Sequence, residues 1–312
     1  MSAQHQPGPL RRALRLSPRA ESEAIALTGI RRLLVGYDGS VPAREALRAA
    51  ATLLRTGGAC TVLSVAPYPL VGGPREDSVQ PSASRAESGQ PATHPWSDEA
   101  AQILRRLGAA ATLGATTGDP GTALARAARN AATDLLVLGH HGREARRPPA
   151  LGEVTRRLIA SPPCSILVAG SQPVTAFQRV LVAFASSPPE DTTMHAAVSL
   201  ARHCGATLLL LQVLAEETAE PAGRRLRTSP AGATDSALAL GWAVQMCQRL
   251  GVEPHVDVVR GGFATALIAH AIHLSVDIVC PGIAPEPAHV DAVYHTVGAA
   301  VLVPPLPPPP AG

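Results

Sequence analysis

The chain has 312 residues, which at about 150 residues per domain predicts two domains. Hydrophobic residues make up 46% of the sequence and charged residues 16%, so the chain can bury a substantial core and wholesale disorder is excluded. The net charge is +3 and every basic residue is arginine; without lysine, the usual Walker-A phosphate loop, protein-kinase site and pyridoxal Schiff base are excluded.

Several further classes of protein are disfavoured. A net charge of +3 with few aromatic residues does not indicate nucleic-acid binding. The five cysteines form no Cys-x-x-Cys pair, so we expect reduced thiols rather than disulfides, and we predict no metal site. No apolar run approaches the ~20 residues of a membrane span, and no signal peptide is evident. We therefore expect a cytoplasmic protein that contacts neither nucleic acid nor membrane.

A short apolar run begins the first of two similar units. Residues 32–36 predict a buried strand, which is closed by Asp38-Gly39-Ser40. An Ala- and Leu-rich helix follows over residues 42–55, and its Pro42 suits the first turn of a helix. Residues 61–65 predict the second strand. Short apolar strands that alternate with helices are typical of a parallel sheet buried on both faces.

The second half of the sequence repeats the first. Three pairs of segments correspond: residues 32–40 and 179–187 at an offset of 147, residues 134–139 and 277–282 at 143, and residues 166–168 and 301–303 at 135. Because the offset falls from 143 to 135, the second copy lacks eight residues between its fourth and fifth strands. The deletion falls where doubly wound proteins bind their ligands.

The alternation predicts an α/β protein made of two tandem, doubly wound, five-stranded parallel-sheet domains. We place the first domain at residues 29–170, a linker at 171–178 and the second domain at 179–304. Residues 1–28 and the Pro-rich residues 305–312 are predicted tails. Residues 67–97 and 216–233 are predicted to be loops inserted after the second strands.

The polar residues of the first copy gather where its strands end. Strand one is followed by Asp38, and strand four by Gly139-His140-His141-Gly142, then nine residues and Gly152-Glu153. Glycines let main-chain N–H groups approach a ligand closely, and the predicted helix from Glu153 offers a positive dipole end to an anion. Arg143 can neutralise phosphate. A structural alternative is that the glycines are turn residues and Asp38 caps a helix.

These residues resemble a known family. Gly139, Gly142 and Gly152 have the Gly-two-Gly-nine-Gly spacing of ATP-binding universal stress proteins. Asp38 matches the first-strand Asp of that family, and Val65 matches the residue whose main chain faces adenine. The resemblance covers residues 31–303 and is to the tandem form of the family.

The resemblance implies properties that the residue patterns alone do not. It implies the strand order 3-2-1-4-5 in each domain and binding of ATP, or of AMP or ADP, with Mg²⁺ as a companion ion. It also implies packing through the fifth strands, as an internal pseudo-dimer or a homodimer, and a regulatory role in stress through an unknown protein partner. Fast catalysis is not implied, although slow ATP hydrolysis stays open.

The first copy departs from the family pattern at the helix start. Glu153 stands where the family has a Ser or Thr that touches phosphate. We expect its carboxylate to repel phosphate by a few kcal/mol, on the order expected for like charges in a partly dry site. The hypothesis is weaker ATP binding, or selection of AMP or adenosine. We expect His140 and His141 to contact ribose or phosphate, and His140 to titrate near neutral pH.

The second copy departs further. Ala185 replaces Asp38, no second glycine follows Gly282, and Pro285 and Pro287 lie in the shortened segment. We therefore expect a degenerate second domain that serves as a packing partner. The alternative is that both halves have lost nucleotide binding and the protein is an interaction module.

Overall fold

The structure is a computed structural model that describes residues 30–66, 96–143, 151–215, 230–282 and 287–305. The predictions for residues 1–28, and for most of segments 67–97, 216–233 and 305–312, lie outside these ranges.

The first copy alternates strands and helices as predicted. Its elements are β1 (Arg32–Gly36), α1 (Val41–Leu54), β2 (Ala59–Ala66), α2 (Ser97–Arg106), β3 (Thr112–Thr117), α3 (Pro120–Asn130), β4 (Leu135–Leu138), α4 (Glu153–Ala160) and β5 (Ser165–Val168). The second copy has the same order. Its elements are β6 (Arg179–Phe184), α5 (Asp191–Cys204), β7 (Thr207–Leu214), α6 (Pro230–Arg249), β8 (His255–Arg260), α7 (Phe263–His273), β9 (Ile278–Pro281), α8 (Pro287–Ala292), a π-helix (Val293–Val297) and β10 (Ala300–Val303).

All ten strands form one sheet in the order β3-β2-β1-β4-β5-β10-β9-β6-β7-β8. Each copy therefore has the order 3-2-1-4-5, which confirms the prediction. The strands within a copy are parallel, whereas β5 and β10 pair antiparallel, with Leu167 opposite Leu302. The fifth strands thus join the two copies edge to edge, so neither is an open edge within the chain.

The hydrophobic core has two layers, one on each face of the sheet. On one face, α1, α2, α5 and α6 bury residues such as Leu47 and Met194 against the strands. On the other, α3, α4, α7 and α8 bury residues such as Leu158 and Leu267. Strands β4 and β9 are buried at every position, which explains their continuous apolar sequences. Both layers run through both copies.

Two aspartates that correspond in the repeat have the same structural role. Asp134 precedes β4, and its carboxylate accepts hydrogen bonds from the main-chain N–H groups of Arg31 and Arg32 at 2.8 and 2.9 Å. Asp277 precedes β9 and accepts from the corresponding groups of Gln178 and Arg179 at 2.7 and 2.9 Å. Each carboxylate thereby fixes the start of the first strand beside the fourth.

Two helices of the second copy differ from the sequence prediction. Helix α6 begins at Pro230, within the segment 216–233 that was predicted as a loop, because its Ala-rich first turns suit a helix. Pro287 begins α8 rather than lying in a loop, since proline is well accommodated at the first helical position. None of the described helices combines the length and apolar character needed to cross a membrane.

Candidate functional site

The predicted site residues of the first copy meet at the carboxyl end of the sheet. Strands β1 and β4 are neighbours, so the segments that follow them lie side by side. The half-buried Asp38 joins these segments. One carboxylate oxygen accepts the main-chain N–H of Arg143 at 2.9 Å, and the other accepts that of Ser40 at 3.0 Å. Asp38 therefore holds the glycine-rich loop against the end of β1.

The helix-capping alternative for Asp38 is wrong. The N-cap of α1 is Ser40, whose hydroxyl accepts the main-chain N–H of Ala43 at 3.2 Å. Because Ser40 satisfies the helix end, the carboxylate of Asp38 is left to face the loop after β4.

We call the opening between Asp38 and the segments that follow β4 the mouth of the first copy. Two glycines allow close main-chain packing there. A Cβ atom on Gly142 would lie 2.7 Å from a carboxylate oxygen of Asp38. A Cβ atom on Gly152 would lie 2.9 Å from the Cα of His141, and the N–H of Gly152 donates to the carbonyl of His140 at 2.9 Å. Only glycine fits either position without a shift, and the result is a surface of bare main chain beside one carboxylate.

The first glycine of the spacing has a purely structural cause. A Cβ on Gly139 would lie 2.7 Å from the carbonyl carbon of Pro42 and 2.8 Å from the nitrogen of Ala43. Its counterpart Gly282 is also confined by backbone atoms, although of a strand rather than a helix start, since a Cβ there would lie 2.8 Å from the carbonyl oxygen of Ala183 in β6. Because both copies need glycine here, packing by itself is enough to account for Gly139.

An aromatic side chain at the mouth was missed by the sequence prediction. Trp96 immediately precedes α2, and its ring lies 2.8 Å from where a Cβ on Gly39 would stand. The guanidinium carbon of Arg143 lies 5.1 Å from the centroid of the ring, within cation–π range. Trp96 follows a long insert without periodicity, so no local signal assigned it to the site.

The carboxylate at the start of α4, that of Glu153, is paired with an arginine rather than isolated. Glu153 is the first helical residue, and its carboxylate accepts two hydrogen bonds from Arg156, at 2.5 and 3.0 Å. The side chains of Glu153 and Arg156 are 62% and 52% exposed. Solvent and the paired guanidinium both screen this charge. The sequence predicts that Glu153 repels phosphate by a few kcal/mol, on the assumption of a partly dry site. Because the carboxylate is solvated and paired, this repulsion falls to about 1 kcal/mol or less.

The ring of His140 faces away from the mouth, which corrects the expectation that it contacts ribose or phosphate. The residue is fully buried, and its Nε2 lies 2.8 Å from Oδ1 of Asp291 in the second copy. The ring stacks on Tyr294, with centroids 3.9 Å apart and planes inclined by 10°. Burial lowers the pKa of His140 to about 4, so it does not titrate near neutral pH. Its main chain stays at the mouth.

Val65 lies near the end of β2, where it pairs with Thr116 of β3 and is half-buried. It is therefore at the same edge of the sheet as Asp38.

The corresponding mouth of the second copy is built differently. Ala185 stands in place of Asp38. The buried side chain of Gln212 donates to the carbonyl of Ser236 at 2.8 Å and lies 3.4 Å from that of Ala185. A side chain thus occupies the space between the end of β6 and helix α6. Counted back from the fifth strand, Pro287 takes the place of Gly152, and without an N–H it cannot make the main-chain hydrogen bond that Gly152 donates to His140.

A cavity of about 630 Å³ lies elsewhere in the first copy. Its lining includes Arg32, Ala59 and Thr112 at the starts of β1, β2 and β3, together with the end of α3. It therefore opens at the amino ends of the strands, opposite to the end at which doubly wound sheets bind ligands. Its volume alone does not make it the candidate site.

Comparison with known proteins agrees with the repeat. The model of the universal stress protein family matches residues 29–170 and again residues 176–298. Among curated protein sequences, none matches the chain.

Two solved structures share the whole tandem fold. A universal stress protein from Archaeoglobus fulgidus has a TM-score of 0.60 at 17% identity, over 88% of this chain and 98% of that one. A putative universal stress protein from Pseudomonas aeruginosa has a TM-score of 0.55 at 16% identity, over 90% of this chain and 95% of that one. At such identities the likeness establishes the fold and leaves the function to the site itself.

Proposed function

This chain belongs to the universal stress protein family, and from that premise we propose that its first copy binds an adenine nucleotide at the mouth formed by Asp38, Gly142 and Gly152. The second copy, in this proposal, is a degenerate packing partner. The protein would act in the cytoplasm as a nucleotide-linked regulator of stress survival, through contacts with a protein partner.

The observation that supports the proposal most strongly is the close packing at Gly142 and Gly152. At neither position does a Cβ atom fit unless a neighbouring group shifts, and neither glycine has a counterpart in the second copy. A requirement of the fold would appear in both copies, as it does at Gly139 and Gly282. The extra glycines therefore fit a ligand-binding surface of bare main chain at the start of α4.

The side chains around this surface suit a nucleotide. Val65 and the flat ring of Trp96 provide apolar surface for a purine, and Arg143 provides positive charge for phosphate. Asp38 is suited to a ribose hydroxyl, or to Mg²⁺ that arrives with the phosphates of ATP.

The number of phosphates is tied to Glu153. Its carboxylate begins α4, where the helix dipole favours an anion, so a long phosphate chain would meet a charge that is already present. Pairing with Arg156 reduces this effect without removing it. We therefore propose a modest preference for AMP-type ligands over ATP.

Two universal stress proteins have been crystallised with adenine nucleotides, one in complex with cAMP and one, from Archaeoglobus fulgidus, in complex with dAMP. Their TM-scores to this chain are 0.27 and 0.31, so the proposal depends on this chain's own residues.

The proposal is tested by direct binding. The full chain is purified, extracted with acid and analysed for nucleotide, then titrated calorimetrically with ATP, ADP, AMP and adenosine. We expect Gly142→Asp to abolish binding, because its carboxylate would fall against Asp38. The matched control is Gly241→Asp in α6, where a side chain would meet nothing within 4 Å, and it should bind like the wild type.

The titration also separates the alternatives. Absence of binding to the wild type, together with no co-purified nucleotide, would overturn the proposal and favour an interaction module. That alternative has one observation in its favour: both carboxylate oxygens of Asp38 already accept main-chain hydrogen bonds. Steady phosphate release that depends on Asp38 would instead indicate a slow ATP hydrolase.

A further inference from the structure

Three side chains of types that can coordinate metal ions, contributed by the two copies, meet behind the mouth of the first copy. They are His140, which follows β4, Asp291 of α8 and His295 of the π-helix, and we call them the inter-copy cluster. One ligand atom from each lies within 4.8 Å of the other two. The closest pair is Nε2 of His140 and Oδ1 of Asp291, at 2.8 Å.

We propose that the inter-copy cluster binds a divalent transition-metal ion, with Zn²⁺ the best match, and that this ion links the two copies. Two imidazoles and one carboxylate are a donor set that suits Zn²⁺. Bonds of about 2.0–2.1 Å at tetrahedral angles place ligand atoms about 3.3 Å apart. The His140–Asp291 pair is slightly closer than this, at 2.8 Å, and the ligand atom of His295 lies within 4.8 Å of both, so binding an ion requires an adjustment of these side chains.

His140 is fully buried, and its Nε2 is the nitrogen that faces Asp291. The ring is held in this orientation by stacking on Tyr294, so Nε2 is already placed towards the other two side chains of the cluster.

The backbone and the solvent exposure fit the same role. His295 lies in a π-helix, a rare conformation that frequently marks functional sites. Within the cluster, exposure increases from the buried His140 through the partly exposed Asp291, at 32%, to the exposed His295. An ion can therefore enter from solvent, and water can occupy a fourth coordination position, while Tyr294 shields the buried side of the cluster by stacking on His140.

The test uses the full chain, stripped with a chelator and free of nucleotide, so it is independent of the proposed nucleotide binding. Titration with ZnCl₂ should show about one ion per chain, and Co²⁺ should give the visible absorption of a tetrahedral site. His295→Ala should weaken Zn²⁺ binding at least about tenfold and abolish the Co²⁺ spectrum. Because His295 is exposed, this variant should fold normally, as circular dichroism would show.

The control is His273→Ala, which removes another exposed histidine, at the end of α7, and should leave both signals unchanged. Asp291→Asn, which keeps a polar group beside His140 but removes the negative ligand, should weaken binding like His295→Ala. If the wild type binds no Zn²⁺, or if His295→Ala binds it as tightly as the wild type does, His140 and Asp291 form only a hydrogen bond between the copies and the proposal is wrong.

Discussion

The two copies share their helices, strands and sheet order, yet they differ at the carboxyl end of the sheet. The first copy presents bare main chain at Gly142 and Gly152 beside Asp38. In the second copy, Ala185 replaces Asp38, Gln212 bridges the end of β6 and helix α6, and Pro287 begins the last helical segment. The comparison separates residues that the fold requires, which recur in both copies, from residues that only the first copy's site requires.

The largest expected effect concerns the glycines that recur. Gly139→Ala and Gly282→Ala should each lower the free energy of unfolding by about 2–3 kcal/mol, because the new Cβ would meet backbone atoms that cannot move aside. Urea denaturation would measure this loss. Gly241→Ala in the open part of α6 is the matched control and should stabilise the protein slightly. If either the Gly139 or the Gly282 variant were as stable as the wild type, the structural role of the glycine that it replaces would be contradicted.

The next effect should be confined to the ligand. In Gly142→Ala the Cβ would meet the carboxylate end of Asp38, a side chain that can rotate away, so we expect a loss of stability below about 1 kcal/mol. Nucleotide affinity should fall about tenfold, or about 1.4 kcal/mol, because Asp38 moves. Calorimetric titration and urea denaturation of one sample would compare the two quantities. A large loss of stability with unchanged affinity would make Gly142 a structural glycine like Gly139.

A third effect is a pH-dependent contribution to stability that only one of two corresponding helix caps can make. Asp119 caps α3 through Thr122 and pairs with Arg157, whereas the corresponding cap of α7 is Gly262, without a side-chain carboxylate. The hydrogen bonds from Thr122, followed by Arg157, lower the pKa of Asp119 to about 2.

Because this pKa lies below its value in the unfolded chain, Asp119 stabilises the fold above about pH 4, and this contribution is lost as the pH falls towards about 2. Asp119→Ala should cost about 1 kcal/mol at pH 7, less than the shift alone suggests because the side chain is 46% exposed. The difference from the wild type should disappear near pH 2 in urea denaturation. A cost that did not change with pH would contradict this origin.

The smallest effect concerns phosphate number. Glu153→Ser should strengthen ATP binding by about fivefold or less, or about 1 kcal/mol, and should leave adenosine binding unchanged. The difference should shrink in high salt, since both side chains of the Glu153–Arg156 pair are more than half exposed. Equal ATP affinity in the variant and the wild type, measured at low salt, would exclude a role for Glu153 in selecting the ligand.

Much of the fold was evident from local sequence, for a physical reason. Strands buried on both faces must be continuous apolar runs, so β1, β4 and their counterparts were apparent, and the repeat then gave the order of elements twice. The joining of the copies through β5 and β10 agreed with the expectation from the family resemblance. Segment 230–233 was misassigned because its Pro, Ala and Gly residues suit both a loop and a first helical turn.

The glycine spacing by itself identified the candidate mouth, because main-chain approach needs positions without a Cβ, and glycine alone among the residues lacks one. Only the tertiary structure separated Gly139 from Gly142 and Gly152, because that distinction depends on which atoms lie across the gap. It also turned His140 away from the mouth and brought it to Asp291 and His295, about 150 residues later in the chain. Contacts of that separation have no local sequence signal, since packing of the two copies alone creates them.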